Sequence, residues 1–272
     1  MDVTWTFRMG DAFAEGDACE LPVHAVRLTS FELDAATVTQ DEFAAFVTAT
    51  DYLTDAERYG SSAVFHLLVE EDADVVGPVA GTPWWINVRG ATWRSPTGHG
   101  DHPVVHVSWN DAVAYAAWVG KRLPTEAEWE YGARGGLDGR RFPWGDELRG
   151  DCNIFRGSFP DRPTHALGTV AARAGRPNDF GLRHAVGNVW EWCADWFSAT
   201  YYLESPRDDP PGPRAGSERV MRGGSYLCHD SYCRRYRVAA RTGNTPDSSA
   251  GNVGFRCAID CTTEGSNSHL TS

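Results

Sequence analysis

Cys228 and Cys233 are the residues best placed to do chemistry in this chain. They stand five positions apart in RGGSYLCHDSYCRRYRVAARTGNTPDSSAGNVGFRC, which runs from Arg222 to Cys257. On a helix that spacing puts two thiols on different faces; on an irregular loop it lets them converge. Four chemistries are open to such a pair. A disulfide requires Cα atoms within about 7 Å. Half of a zinc site requires two further Cys or His ligands, and the chain has no CxxC pair. Two soft thiolates with an open side suit Cu(I). A redox dithiol requires one thiolate of depressed pKa. Residue type and spacing alone leave all four open.

The elements that must position these thiols are unevenly legible. A short strand is expected over Phe31 to Val38. Thr39 and Glu42 form a capping box for a helix whose inner face carries Phe43, Phe46 and Val47. Val104 to Val107 reads as a second short strand. Ser108 caps the next helix, with Asp111 in its first turn, a stripe of Ala112, Tyr115, Ala116 and Val119, and Gly120 as its stop. Thr125 and Glu128 box the start of a third, which turns Trp129 and Ala133 inward. Beyond about residue 135 periodicity fades. Gly, Pro, Asp and Arg then alternate with aromatics, as in short strands joined by structured loops. No linker or repeat intervenes, so one domain over 1–260 is expected, followed by a polar tail over 261–272.

Composition narrows the function. The 272 residues are 42% hydrophobic, with 11 Trp against 3 Met, which fits a loop-rich fold packed by flat aromatic side chains. The net charge of -12 and the absence of a basic stripe argue against a nucleic-acid partner. Lys121 is the only lysine. No apolar run approaches the roughly 20 residues that span a bilayer, so no membrane association is expected. MDVTWTFRMGDAF lacks the pattern of an export signal, which points to a cytoplasmic protein. The seven cysteines (Cys19, Cys152, Cys193, Cys228, Cys233, Cys257 and Cys261) are an odd count, so a disulfide scaffold is not expected.

The setting of the cysteine pair adds what spacing cannot. GGSYLCHDSYC, RYRVAAR and NTPDSSAGNVGFRC resemble the catalytic segment of the formylglycine-generating enzymes, the sulfatase-modifying oxidases. The resemblance extends in order through FRMG (from Phe7), VTQDEFAAFV (from Val38), PWWINVRGATW (from Pro83), VSWNDAVAYAAWVGKRLPTEAEWEYGARGG (from Val107), FPWGDE (from Phe142) and GNVWEWCADWF (from Gly187). KRLPTEAEWE and GNVWEW belong to a wider superfamily and bear on the fold; the cysteine pair in its setting bears on the activity.

The resemblance implies an α+β, C-type-lectin-like fold with little regular secondary structure. It implies oxidation of the cysteine of an unfolded sulfatase segment, Cys-x-Pro-x-Arg, to Cα-formylglycine. Molecular oxygen and a thiol reductant are consumed. Cys228 and Cys233 are implied to hold Cu(I), with the substrate thiol as a third ligand. Loss of a substrate Cβ hydrogen then gives a thioaldehyde that hydrolyses to the aldehyde. Ser225 matches a serine lining the oxygen or substrate pocket, where its plain alternative is a turn residue. Trp190 matches a pocket tryptophan; Trp192 and Trp196 are expected in the core. Tyr232 either bonds near the metal or is a core tyrosine. Asn252 and Arg241 either shape the pocket or make structural hydrogen bonds. Trp84 and Trp85 either wall a peptide groove or pack in the core.

Ca2+ is implied as well. Asn153 and Ile154 match the first ligands of one site, whose acidic loop is here shortened to FPDRPTHALGTV. Gly187, Val189 and Glu191 match a second, with His184 where the family has Asn. Family disulfide positions correspond to Ala116, Gly132 and Val238, so Cys152, Cys193 and Cys257 are expected as inert buried thiols. Three rival readings remain. One is a catalytically retired lectin-like binding module. Another is an iron-dependent sulfoxide synthase, which would need a helical histidine set that the nine histidines do not form. The last is a zinc-stabilised structural protein.

Overall fold

The computed structural model describes residues 4–94 and 99–261. Of the tail expected over 261–272, residues 262–272 lie outside the described residues. The chain opens with an antiparallel pair, β1 (Thr4–Met9) and β2 (His24–Thr29). The expected strand from Phe31 shrinks to β3 (Phe31–Leu33), because the backbone beyond it bonds irregular partners: Asp34 N donates to Cys257 O and Val38 N to Phe255 O.

Helices α1 (Gln40–Thr50), α2 (Asp55–Tyr59), α3 (Trp109–Trp118) and α4 (Glu126–Arg134) each begin with a two-way capping box, from Thr39, Thr54, Ser108 and Thr125. Each box satisfies backbone N–H groups that a helix start otherwise leaves unpaired. The apolar stripes face inward as their spacing dictates; Phe43, Ala112, Ala116 and Trp129 are essentially without solvent exposure. Val119 is only half-buried.

Val104–Val107 is not a strand. His106 adopts a left-handed backbone (φ 59°), which breaks the extended run, although all three valines remain buried.

The remaining strands are short. β4 (Ser61–Phe65), β5 (Val75–Val79) and β6 (Thr82–Arg89) form a sheet ordered β4–β6–β5. β7 (Gly157–Ser158) pairs with β8 (Arg162–Pro163). β9 (Trp190–Trp196), β10 (Arg219–Arg222), β11 (Arg241–Asn244) and β12 (Val253–Gly254) form a sheet ordered β11–β10–β9–β12, and β13 (Ala258–Asp260) returns to β3. This is a mixed α+β architecture dominated by ordered loops, as the aromatic-rich composition requires. Among the described residues, no helix is long and apolar enough to cross a membrane.

Buried charge ties α4 to the second sheet. Arg222 and Arg241 both bond Glu126, and Arg222 also bonds Glu130. Glu191 at the start of β9 is claimed by Arg256 through both oxygens and by Trp129 Nε1. Such charges cost several kcal/mol each to desolvate, so every one must be paired.

Candidate active site

Cys228 and Cys233 converge, with their sulfurs 3.0 Å apart, at the wall of a cavity of about 440 Å³. The loop between them closes on itself: Tyr232 N and Cys233 N both donate to His229 O. That single helical turn brings two residues, five apart in sequence, onto the same side. The sulfurs are too far apart for a disulfide bond (about 2.05 Å), and all seven cysteines are free.

The approach to the pair depends on two glycines. β10 ends at Arg222, and Gly223 (φ 90°) and Gly224 (φ 70°) turn the chain into Ser225. A Cβ at Gly224 would lie 2.8 Å from Arg235 O, so the loops carrying the two thiols touch backbone to backbone only because no side chain stands there. Ser225 is fully buried; its N–H points to Cys228 Sγ (3.4 Å) and its Oγ accepts from Asn252 Nδ2 (2.9 Å).

The sheets explain who else arrives. Trp190 N donates to Asn252 O across the parallel β9–β12 pair, which fixes Trp190 and Asn252 side by side on the cavity wall. The β4–β6–β5 sheet supplies the facing wall through Phe65, Trp84 and Trp85. Tyr232 is 43% exposed, stacks on Phe159 at 4.7 Å and meets Trp84 edge-on at 4.7 Å. It is therefore a rim residue and not a core tyrosine.

The two thiols differ in acidity. Burial pushes Cys228 up, and its hydrogen bond with Cys233 adds to this. The hydrogen bond from Cys228 holds Cys233 down; burial opposes it, and the Arg235 guanidinium and backbone N–H assist. Of the two, Cys233 is the thiol that loses its proton first. By contrast, burial drives Cys152 and Cys257 up to about 12 and Cys193 well above its ordinary value, as befits inert thiols. Two convergent sulfurs of this kind at an open cavity fit a soft monovalent ion such as Cu(I).

Among the expected calcium donors, the side chains are engaged within the protein. Both oxygens of Glu191 are committed to Arg256 and Trp129. The Asn153 amide nitrogen donates to Gly168 O and Asn188 Oδ1, and Asn153 O accepts from Asn188 N. Ile154 is buried and Gly187 N donates to Gly223 O, neither of which engages the carbonyls expected as donors. Val189 is likewise buried. Among the described residues no group of three or more His, Cys, Asp or Glu gathers as a metal site.

Arg241 takes the structural one of its two alternatives. Its guanidinium is 1% exposed and bonds Glu126, Cys19 O and Ser198 O, while the next residue, Thr242, lines the cavity. The alternation of β11 turns Arg241 away from the cavity. Trp192 is core, as expected; Trp196 is only half-buried and covers the Arg219 guanidinium at 3.5 Å. Sequence reasoning missed Phe159, Arg235 and Ser249, which line the same cavity. Arg235 could have been found from its place two residues past Cys233. Phe159 sits on a loop without periodicity and left no signal.

Comparison with known proteins follows this geometry. The sulfatase-modifying factor enzyme 1-like domain matches residues 5–261. A formylglycine-generating enzyme of Streptomyces coelicolor is 64% identical over 93% of this chain and 86% of its own length. That of Thermomonospora curvata is 57% identical over 94% and 91%. An inactive Cα-formylglycine-generating enzyme 2 of Bos taurus is 41% identical over 93% and 84%. Among solved structures, PvdO from Pseudomonas aeruginosa superposes with a TM-score of 0.70 over 95% of this chain and 92% of its own, at 24% identity. That likeness concerns the fold alone.

Proposed function

The chain belongs to the sulfatase-modifying factor enzyme family, and on that premise we propose that it oxidises the cysteine of a Cys-x-Pro-x-Arg segment in an unfolded sulfatase to Cα-formylglycine. The observation that carries the reading is the pair of free sulfurs 3.0 Å apart on the wall of a cavity that opens to solvent past aromatic side chains. A fold of this kind does not suffice for the activity, since a relative named as inactive shares it.

The overall reaction balances. The substrate's methylene thiol, one molecule of oxygen, two electrons and two protons give the aldehyde, one hydrogen sulfide and one water. The electrons come from an external thiol, which is oxidised to its disulfide. Held between Cys228 and Cys233, Cu(I) would supply the one-electron chemistry that lets oxygen react with a thiol-bearing carbon. The protein's own residues do the rest. The Ser225–Asn252 bond fixes two polar groups beside the thiols, where they orient the entering side chain. Trp190 shares the cavity wall with the thiols and adds apolar surface there. Trp84, Phe159 and Tyr232 give an extended peptide a flat apolar rim on which to lie.

The test is mass spectrometry of a Cys-x-Pro-x-Arg peptide incubated with the protein, Cu(I), oxygen and a thiol, beside Cys228→Ala. Aldehyde that forms with the parent and disappears with the variant and without copper supports the proposal. No aldehyde from folded, copper-loaded parent overturns it and leaves the lectin-like binding module as the better reading.

A further inference from the structure

Behind the cavity wall, at β4, runs a chain of hydrogen bonds that the reaction scheme above does not use. Ser249 lines the cavity. Its Oγ lies 2.7 Å from Ser62 Oγ, and Ser62 Oγ lies 2.8 Å from His106 Nδ1. Ser62 is 4% exposed and His106 5%, so the chain leads from the cavity surface into the core in two hydrogen bonds. His106 is also held in a left-handed backbone conformation (φ 59°), which is unfavourable for a non-glycine residue. Strain of that kind persists where the surroundings over-determine it.

The surroundings here are the segment that carries Asn252. His106 N donates to Ala250 O, and Gly251 N donates to Ala63 O, next to Ser62 on β4. A Cβ at Gly251 would lie 3.2 Å from His106 Nε2, so the imidazole rests directly on the glycine backbone. Among the described residues the ring makes one hydrogen bond, through Nδ1. Burial pulls its pKa down to about 4, so the ring is neutral. A neutral imidazole carries one N–H, and with that proton on Nδ1 it donates to Ser62 Oγ. We assign the proton to Nδ1, the tautomer that makes the ring the donor at the head of the chain. Ser62 then donates to Ser249, whose own hydroxyl hydrogen is left to point into the cavity.

We propose that His106 is a positioning residue that acts through Ser62 to orient the Ser249 hydroxyl as a hydrogen-bond donor to a backbone carbonyl of the bound polypeptide. This rests on the reading that the cavity takes an unfolded polypeptide. An extended peptide presents carbonyls on both edges. One fixed donor on the wall of the same cavity sets its register so that a single side chain reaches Cys228 and Cys233. A free hydroxyl at the same place rotates and accepts as readily as it donates; the buried histidine removes that choice.

The experiment measures binding without turnover. The probe is a fluorescein-labelled peptide carrying Ser-x-Pro-x-Arg, titrated by anisotropy in the absence of copper against parent, Ser249→Ala, Ser62→Ala, the double variant, His106→Asn and His106→Leu. Each variant's Tm is recorded beside it. Ser249→Ala and Ser62→Ala are each expected to weaken binding roughly tenfold, as loss of one peptide hydrogen bond does. The double variant is expected to be no weaker than either, because both break one chain. Asparagine offers an amide donor near the Nδ1 position and tolerates left-handed backbone, so His106→Asn is expected to bind within about threefold of parent. His106→Leu is expected to match Ser62→Ala; should it not fold, Ser62→Ala and His106→Asn carry the test. Unchanged binding in Ser249→Ala overturns the proposal. So does weak binding in Ser249→Ala with parental binding in Ser62→Ala, which would make Ser249 act alone. Parent that binds no peptide overturns the functional reading itself, a distinct result.

Discussion

Replacing Arg241 with methionine separates a pocket role from a structural one. The side chain is 1% exposed and meets Glu126 through Nε and Nη2, both at 2.7 Å. Its removal leaves Glu126, itself buried, with Arg222 and the Tyr202 hydroxyl. Breaking one side of a buried ion pair costs about 3–5 kcal/mol. Arg222 remains to shield the carboxylate, so the lower figure, about 3 kcal/mol, applies. With an unfolding entropy of about 2.1 cal/mol/K per residue, the whole chain loses stability at roughly 0.6 kcal/mol per degree near Tm. Arg241→Met should therefore unfold about 5 °C below the parent. Differential scanning calorimetry measures the shift, and peptide oxidation at 25 °C measures function. KM and kcat are expected within about twofold of parent, because the guanidinium faces away from the cavity. A Tm within 1 °C of parent together with a KM raised more than about fivefold would refute the reasoning and return Arg241 to the peptide site.

Three further outcomes follow from the same structure. Burial, reinforced by the charge of Glu126, pushes Asp195 up to about 8, so the folded protein holds a proton there that the unfolded chain releases near pH 4. That contribution is full at low pH and fades as pH rises toward 8; Asp195→Asn keeps an acceptor for Glu126 N and cannot titrate, so its Tm should gain on the parent's between pH 5 and 8, and parallel curves would sink the argument. Gly224→Ala places a side chain against Arg235 O on left-handed backbone, and should cost about 2–4 kcal/mol by chemical denaturation while separating the two thiols, seen as lost peptide oxidation in the remaining folded protein. Tyr232→Ala removes a half-exposed ring stacked on Phe159, and should raise the peptide KM up to about tenfold with little change in Tm; a large fall in Tm with KM intact would make it a core residue after all.

The local signals held where the physics is local. Capping boxes at Thr39, Ser108 and Thr125 act within three residues, so sequence by itself determined where three helices start and which faces they bury. The cysteine pair was likewise visible as a candidate, since five residues of loop suffice to bring the sulfurs together. Its chemistry was not fixed by spacing; the surrounding motifs narrowed it. What the sequence could not decide is which partner each charge takes. Arg222, Arg235 and Arg241 lie close together in the chain, yet one pairs inside the core with Glu126 and Glu130, one reaches Asp17 and lines the cavity, and one turns inward to Glu126. Those partners stand some ninety to more than two hundred residues away, and every arginine carries the same charge wherever it goes. His106 makes the point at the site itself. The run Val104 to Val107 reads as a strand because valines favour extended backbone, but Ala250, Gly251 and Ser62 hold the histidine between them in a left-handed turn. Only tertiary structure brings those segments together, because the stabilisation comes from contacts between parts of the chain whose separation leaves no periodic trace.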